Sequence, residues 1–195
     1  MAISRMLPDQ LTEPTHLFSR AEVLDRPWPV PAVRGVYAWY FHDIPNHVPT
    51  QGCVRKCGHT LLYIGISPSR DTSRANLRKR IHQHFTGNAK SSTLRLTLGV
   101  LLSEASGFPL RRVGSGARMT FTRPGEQWLD QWMAANARVC WVDHERPWLL
   151  EEELLNALSP PLNIRSAAQH PFAADLSKRR VAAKDKARSM SIAEG

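Results

Sequence analysis

Glu151 lies in the run Trp148-Leu149-Leu150-Glu151-Glu152-Glu153-Leu154-Leu155-Asn156-Ala157-Leu158. At about 100° per residue on a helix, Leu154, Leu155 and Leu158 fall within roughly 60° of Glu151, while Glu152 and Glu153 turn to solvent. A carboxylate aimed inward in the first turn of a helix is costly unless something positive meets it. That partner is a cation, a metal, or the helix N-terminus acting on a capping Glu. Arg80 and His84 are four residues apart and share a helix face, with Arg80 at the border of the apolar stripe, about 60° from Leu77 and about 100° from Ile81. A guanidinium so placed can grip an oxyanion or pair with a carboxylate; the imidazole can move a proton or simply close a helix end. Arg78 and Lys79 lack that placement, although a small register error would exchange Arg78 with Arg80. Gly35-Val36-Tyr37 and Tyr63-Ile64-Gly65 each set a phenol near a glycine, so that in paired strands both phenols share a face and a glycine leaves room for a ligand to approach.

The elements that must carry these side chains follow from pattern. Residues 34–41 and 60–66, rich in aromatic and β-branched residues, read as strands, and the Pro-, Gly- and His-rich stretch 42–59 between them as a long hairpin excursion. From Ser73, Leu77, Ile81 and Phe85 recur at helical spacing, and Gly87-Asn88 closes that helix. A second helix is expected from Ser92 to about Gly107, an Arg-rich loop over 107–123, a helix over 126–137, a third strand over 138–142, and a helix that Pro147 opens and Pro160-Pro161 stops. Strands alternating with helices, two of them in a hairpin, give a small α/β (α+β) domain with a three-stranded antiparallel sheet flanked by helices. It occupies 34–164, with 1–33 as an N-terminal extension, 42–59 as the hairpin insertion, 106–137 as an additional loop and helix, and 165–195 as a basic, frayed or flexible tail.

Composition narrows the partners. With 195 residues, 42% of them apolar, the chain can build a core, which excludes collagenous and wholly disordered classes. The net charge is +9, and Arg dominates the cations, pointing to a phosphate-bearing partner. The excess sits in 70–123, where eleven cations face two anions; 124–164 reverses the sign with two cations and seven anions. Within that basic stretch Arg111, Arg112, Arg118 and Arg123, with Arg78 and Lys79, are candidate backbone contacts for nucleic acid. Cys53, Cys57 and Cys140 are too few for a disulfide framework, which favours a reducing compartment. The first residues carry no export signal and no window is long and apolar enough to span a membrane, so a soluble, cytoplasmic protein is expected. Cys53, Cys57 and His59, with His42 and His47 upstream, offer ligands for a structural Zn²⁺, though two incidental thiols in a loop is the favoured reading of that spacing.

Taken in order, Gly35-Val36-Tyr37, Tyr63-Ile64-Gly65, the run Asn76 to Phe85 holding Arg80 and His84, and Glu151-x-x-Leu154-Leu155 ending in Pro160-Pro161-Leu162-Asn163 resemble the GIY-YIG nuclease superfamily. The resemblance covers roughly 34–87 and 138–164; Val36 replaces the family's Ile, and Tyr37 and Tyr63 are farther apart than is usual. It implies a fold that cuts phosphodiester bonds with one divalent metal, Mg²⁺ or Mn²⁺. In that reading Glu151 is the metal ligand, Arg80 the phosphate-stabilising cation, Tyr37 and Tyr63 the active-site phenols, and His84 and Asn163 supporting residues. DNA is the expected substrate, in restriction, repair or mobile-element work; an RNA-directed nuclease and a non-catalytic nucleic-acid-binding module are the alternatives. Oligomeric state is not legible, though a double-strand cut from one centre needs a dimer or two successive events.

Overall fold

A computed structural model describes residues 8–164 and 170–194. The elements are α1 (Asp9–Thr12), α2 (Arg20–Leu24), β1 (Gly35–Phe41), β2 (Arg55–Lys56), β3 (His59–Ser67), α3 (Leu77–Thr86), α4 (Thr93–Leu101), α5 (Ser103–Ser106), β4 (Arg111–Val113), β5 (Arg118–Thr120), α6 (Arg123–Asn136), β6 (Ala137–Asp143), α7 (Pro147–Leu158) and α8 (Pro171–Ser189). The main sheet is antiparallel in the order β2-β3-β1-β6, one short strand more than expected, because Arg55 and Lys56 of the excursion turn back onto Thr60 and His59.

β1 is the central strand, and every one of its residues is buried because it is packed on both faces. Tyr37, Trp39 and Phe41 face a large core with α3, α4, α6 and α8, while Val36, Ala38 and Tyr40 face a smaller one with Leu150, Leu154 and Leu155 of α7. The long excursion leaves the hairpin register intact: Tyr37 lies opposite Gly65 and Trp39 opposite Tyr63, with an irregularity after Trp39. Entropy explains this tolerance, since the cost of closing a loop rises only slowly with its length. The N-terminal extension is built into both cores: Leu11 accepts a hydrogen bond at its carbonyl from Tyr40 Oη (2.6 Å), and Val23 and Val30 are fully buried.

Several boundaries differ from the sequence reading. α3 begins at Leu77 rather than Ser73, because Asn76 is the N-cap and its side chain accepts from the Lys79 N–H. The helix expected from Ser92 to Gly107 breaks at Leu102 into α4 and α5. The stretch read as a loop over 107–123 contains the β4–β5 hairpin, paired Arg111 to Thr120 and Val113 to Arg118.

The largest difference is at the C-terminal end. Where a frayed or flexible tail was expected, α8 runs for 19 residues and buries Phe172, Ala173, Leu176 and Ala187. Arg165, the first residue of that expected tail, lies outside the described residues. Two of the candidate nucleic-acid arginines hold α8 instead: Arg112 donates to the carbonyls of Ala187 (3.3 Å) and Met190 (2.9 Å), and Arg111 to that of Ser191 (2.9 Å). Cations are favoured there because the last carbonyls of a helix lack intrahelical partners. No helix among the described residues is long and apolar enough to cross a membrane.

Candidate active site

Tyr37, Tyr63, Arg80, Glu151 and Asn163 line one cleft of about 660 Å³. The strands supply the phenols. The register opposite one another places Tyr37 and Tyr63 on the same face of β1 and β3, and the Tyr37 ring passes over Gly65. A Cβ on Gly65 would stand 2.5 Å from Tyr37 Oη and 2.6 Å from Cζ. The room at this glycine is therefore filled by the phenol, not held for a ligand. Gly35 is likewise closed off, by the Val142 carbonyl and a Leu77 methyl. Gly65→Ala must push the Tyr37 ring out of place, which should cost about 1–3 kcal/mol as overpacking does. Thermal unfolding of the variant, together with loss of cleavage, checks this.

His84 is fully buried on α3 between strand and helix. Its Nε2 is 2.9 Å from Tyr37 Oη and its Nδ1 is 2.7 Å from Ser92 Oγ, while its ring meets Trp39 edge-on. Burial first, then the Arg80 and Arg95 charges, hold its pKa well below the ordinary imidazole value, so the ring is neutral. The Tyr37 phenol is pushed above its ordinary value, chiefly by burial and then by Tyr63, with Arg80 acting in the opposite direction. Ser92, the N-cap of α4, also accepts from the Arg95 N–H (3.1 Å), so the helix start and the imidazole share one hydroxyl.

Arg80 donates through Nη1 to Gln83 Oε1 (2.8 Å) and the Ser91 carbonyl (3.0 Å), which fixes the guanidinium at the cleft. Asn163 pairs with the backbone of Ile64 as a strand would, accepting from its N–H (2.9 Å) and donating to its carbonyl (2.7 Å), and Leu162 N–H bonds the Leu62 carbonyl (3.0 Å). The turn after α7 is thus stitched to the segment of β3 that carries Tyr63. Glu151 is the fifth residue of α7, past the first turn, so the reading as a capping Glu fails. It makes no hydrogen bond or ion pair with any described residue, and burial alone lifts its pKa to about 7.

Other candidates are placed elsewhere. Arg78 donates to the Val30 carbonyl (2.8 Å) and, with Arg26, packs over the Trp28 ring, so it fastens the N-terminal extension. Lys79, Arg118 and Arg123 are exposed. The basic segment is therefore not one face; part of its charge serves internal contacts. Cys53, Cys57 and His59, even with His42 and His47, do not form a metal cluster, since no three His, Cys, Asp or Glu side chains among the described residues converge on a point. Cys57 is exposed, and the His59 ring bonds the Cys57 carbonyl (2.7 Å).

The cleft also contains residues that the sequence reading passed over: Ser69, Thr93, Trp148, and Ser177, Arg180, Val181 and Lys184 of α8. Trp148 precedes Glu151 by three positions and so shares its face. For α8 the signal was the spacing of Phe172, Leu176, Ala183 and Ala187 in a run otherwise rich in alanine, lysine and arginine.

Comparison with known proteins agrees with this architecture. A family model described as the GIY-YIG catalytic domain matches residues 35–182, which takes in the cleft's strands, Arg80, Glu151 and most of α8. No curated protein and no solved structure matches the chain. The function is of the nuclease type, on a nucleic-acid substrate, and the chain belongs to the GIY-YIG catalytic-domain family.

Proposed function

We propose that the protein is a divalent-metal-dependent endonuclease that hydrolyses phosphodiester bonds in DNA. The observation that carries the reading is the gathering around one cleft of two phenols, a fixed guanidinium and a carboxylate that no described residue bonds. Glu151 fits a hard cation: it is an oxygen donor with no competing bond from any described residue, and such an ion takes its remaining ligands from water and phosphate oxygens. Bound there, Mg²⁺ or Mn²⁺ supplies positive charge to the phosphate and leaving group.

The chain's own groups do the rest. Arg80, held by Gln83 and Ser91, meets the charge that develops on the scissile phosphate without having to reorganise. Tyr37 is neutral at rest, so it can take a proton from the attacking water only as it gives up its own. His84 is the acceptor: with Nδ1–H donating to Ser92 Oγ, Nε2 is left to receive the Tyr37 proton. Burial keeps the imidazole neutral but opposes its becoming charged, and the Arg80 charge, which lowers the Tyr37 pKa, offsets part of that cost. Tyr63, on the same face, orients water or phosphate, and Asn163 keeps its strand in register.

The test is cleavage of duplex DNA, branched DNA and RNA by the purified chain in Mg²⁺ and in EDTA. Arg80→Ala is expected to lower the single-turnover rate about 10²-fold, the scale of one removed oxyanion donor, with the fold unchanged by circular dichroism. Metal-independent cutting, or a variant as fast as wild type, overturns the mechanism. Binding with no cleavage of any substrate would make the chain a binding module, and preference for RNA would reassign the substrate.

A further inference from the structure

Ser177, Arg180, Val181 and Lys184 are spaced i, i+3, i+4 and i+7, so they form one continuous stripe of α8 along the cleft. At about 100° per residue, that stripe lies roughly a quarter-turn from the apolar one made by Phe172, Leu176, Ala183 and Ala187. α8 is fixed along its length by that second stripe and at its end by Arg111, Arg112 and the bridge between Val113 and Ala193. Arg180 and Lys184 are therefore carried on an anchored element, both half-buried, whereas Lys178, Lys186 and Arg188 of the same helix are exposed.

Charge gives the stripe its meaning. The described residues lining the cleft include three cations, Arg80, Arg180 and Lys184, and one anion, Glu151. That excess of positive charge draws a polyanion toward the cleft. Residues four apart on a helix stand roughly 5–6 Å apart at Cβ, close to the separation of successive phosphates along a strand. Val181, 57% exposed and between the two cations, presents an apolar surface suited to a sugar edge.

We propose that Arg180 and Lys184 form a backbone-phosphate subsite, binding the phosphates that flank the scissile one; this rests on the nuclease reading above. They are positioning residues, since they touch the strand away from the reacting atoms. The subsite reads no sequence, because phosphate contacts set register and orientation only.

Fluorescence anisotropy of the full chain with a labelled DNA duplex in EDTA, over a range of salt, measures the effect without cleavage. The double variant Arg180→Ala/Lys184→Ala should weaken binding about 10-fold or more and flatten the slope of log Kd against log salt by nearly 2, about 0.9 for each lost contact. In Mg²⁺ it should raise KM with kcat little changed. Arg180→Lys/Lys184→Arg should keep the wild-type slope, which separates lost charge from a damaged helix, and Lys178→Ala should match wild type. A double variant with the wild-type slope overturns the subsite while leaving the nuclease reading in place. A wild-type chain that binds neither duplex DNA nor RNA overturns both.

Discussion

Glu151→Gln should abolish cleavage and at the same time make the metal-free protein more stable at pH 8. Several kcal/mol of charge stabilisation depend on this carboxylate if it holds the metal, so a loss of about 10³-fold or more is expected. The gain in stability comes from the proton balance. In the folded chain the Glu151 pKa is about 7, against an ordinary 4.5, so between those values the folded state retains a proton that the unfolded state has released. Stability associated with the group is full below about 4.5 and is lost as pH rises through about 7. Since the carboxylate is only partly buried, solvent screening reduces the penalty to about 1–2 kcal/mol above that range. Gln carries no charge to desolvate, so its melting temperature at pH 8 should be higher by roughly 2–8 °C. The gap should vanish at pH 4. Mg²⁺ should stabilise wild type by binding the folded state and leave the variant unmoved. Differential scanning calorimetry reads all three, and a variant that melts lower than wild type at pH 8 would show that Glu151 has a structural partner.

The second large effect is structural and lies beneath the site. Arg95 is fully buried, with Nη2 donating to Glu126 Oε2 (2.6 Å) and Nη1 to Asp130 Oδ1 (2.6 Å), and it also reaches the carbonyls of His84 and Phe85 at 3.4 Å. Glu126 is itself bonded by Thr120 and by the Ala89 N–H (2.9 Å). One guanidinium thus ties α4, α6 and the last turn of α3 together. Arg95→Ala strips Glu126 of its cation and leaves Asp130 only the longer contact to Arg20 (3.9 Å), and should cost about 3–5 kcal/mol, a large part of a typical 5–15. The melting temperature should fall by roughly 10 °C. Arg95→Met, which refills most of the volume, should recover little of this, because the loss is electrostatic; a near-complete recovery would mean that packing dominates. Below its melting temperature the variant should also cleave more slowly, since the His84 and Phe85 carbonyls lose a donor at the end of the helix that carries Arg80 and His84.

These two residues mark the limits of what the chain alone discloses. The strands with Tyr37 and Tyr63, the stripe of α3 and the inward turn of Glu151 are periodic signals, and local pattern is enough to find them. Arg95 stands as the single charge in the apolar run Leu94 to Leu101, and its burial depends on carboxylates more than thirty residues away. No local period can report such a partner. The basic count over 70–123 failed as a map of a surface for the same reason: Arg78, Arg95, Arg111 and Arg112 are each bonded to distant elements. α8 escaped notice because alanines do much of its packing, and a small apolar contribution among lysines and arginines resembles a solvated tail. The role of Gly65 depended on register, which only the assembled hairpin defines.

The borders of the main sheet carry one more consequence. On one side Phe18 exchanges both backbone hydrogen bonds with Val139 (2.9 and 3.0 Å) and its ring packs on Trp141. On the other, β2 covers the start of β3, and Leu162 with Asn163 occupies the bonding groups of Leu62 and Ile64 farther along. Among the described residues neither rim offers a long run of unpaired backbone, so strand addition, a route by which exposed sheets fibrillise or dimerise, is obstructed at both. If two copies cooperate to sever both strands of a duplex, they must meet through helices or loops, and such a pairing can be weakened by surface mutations that leave the sheet and its cleft untouched.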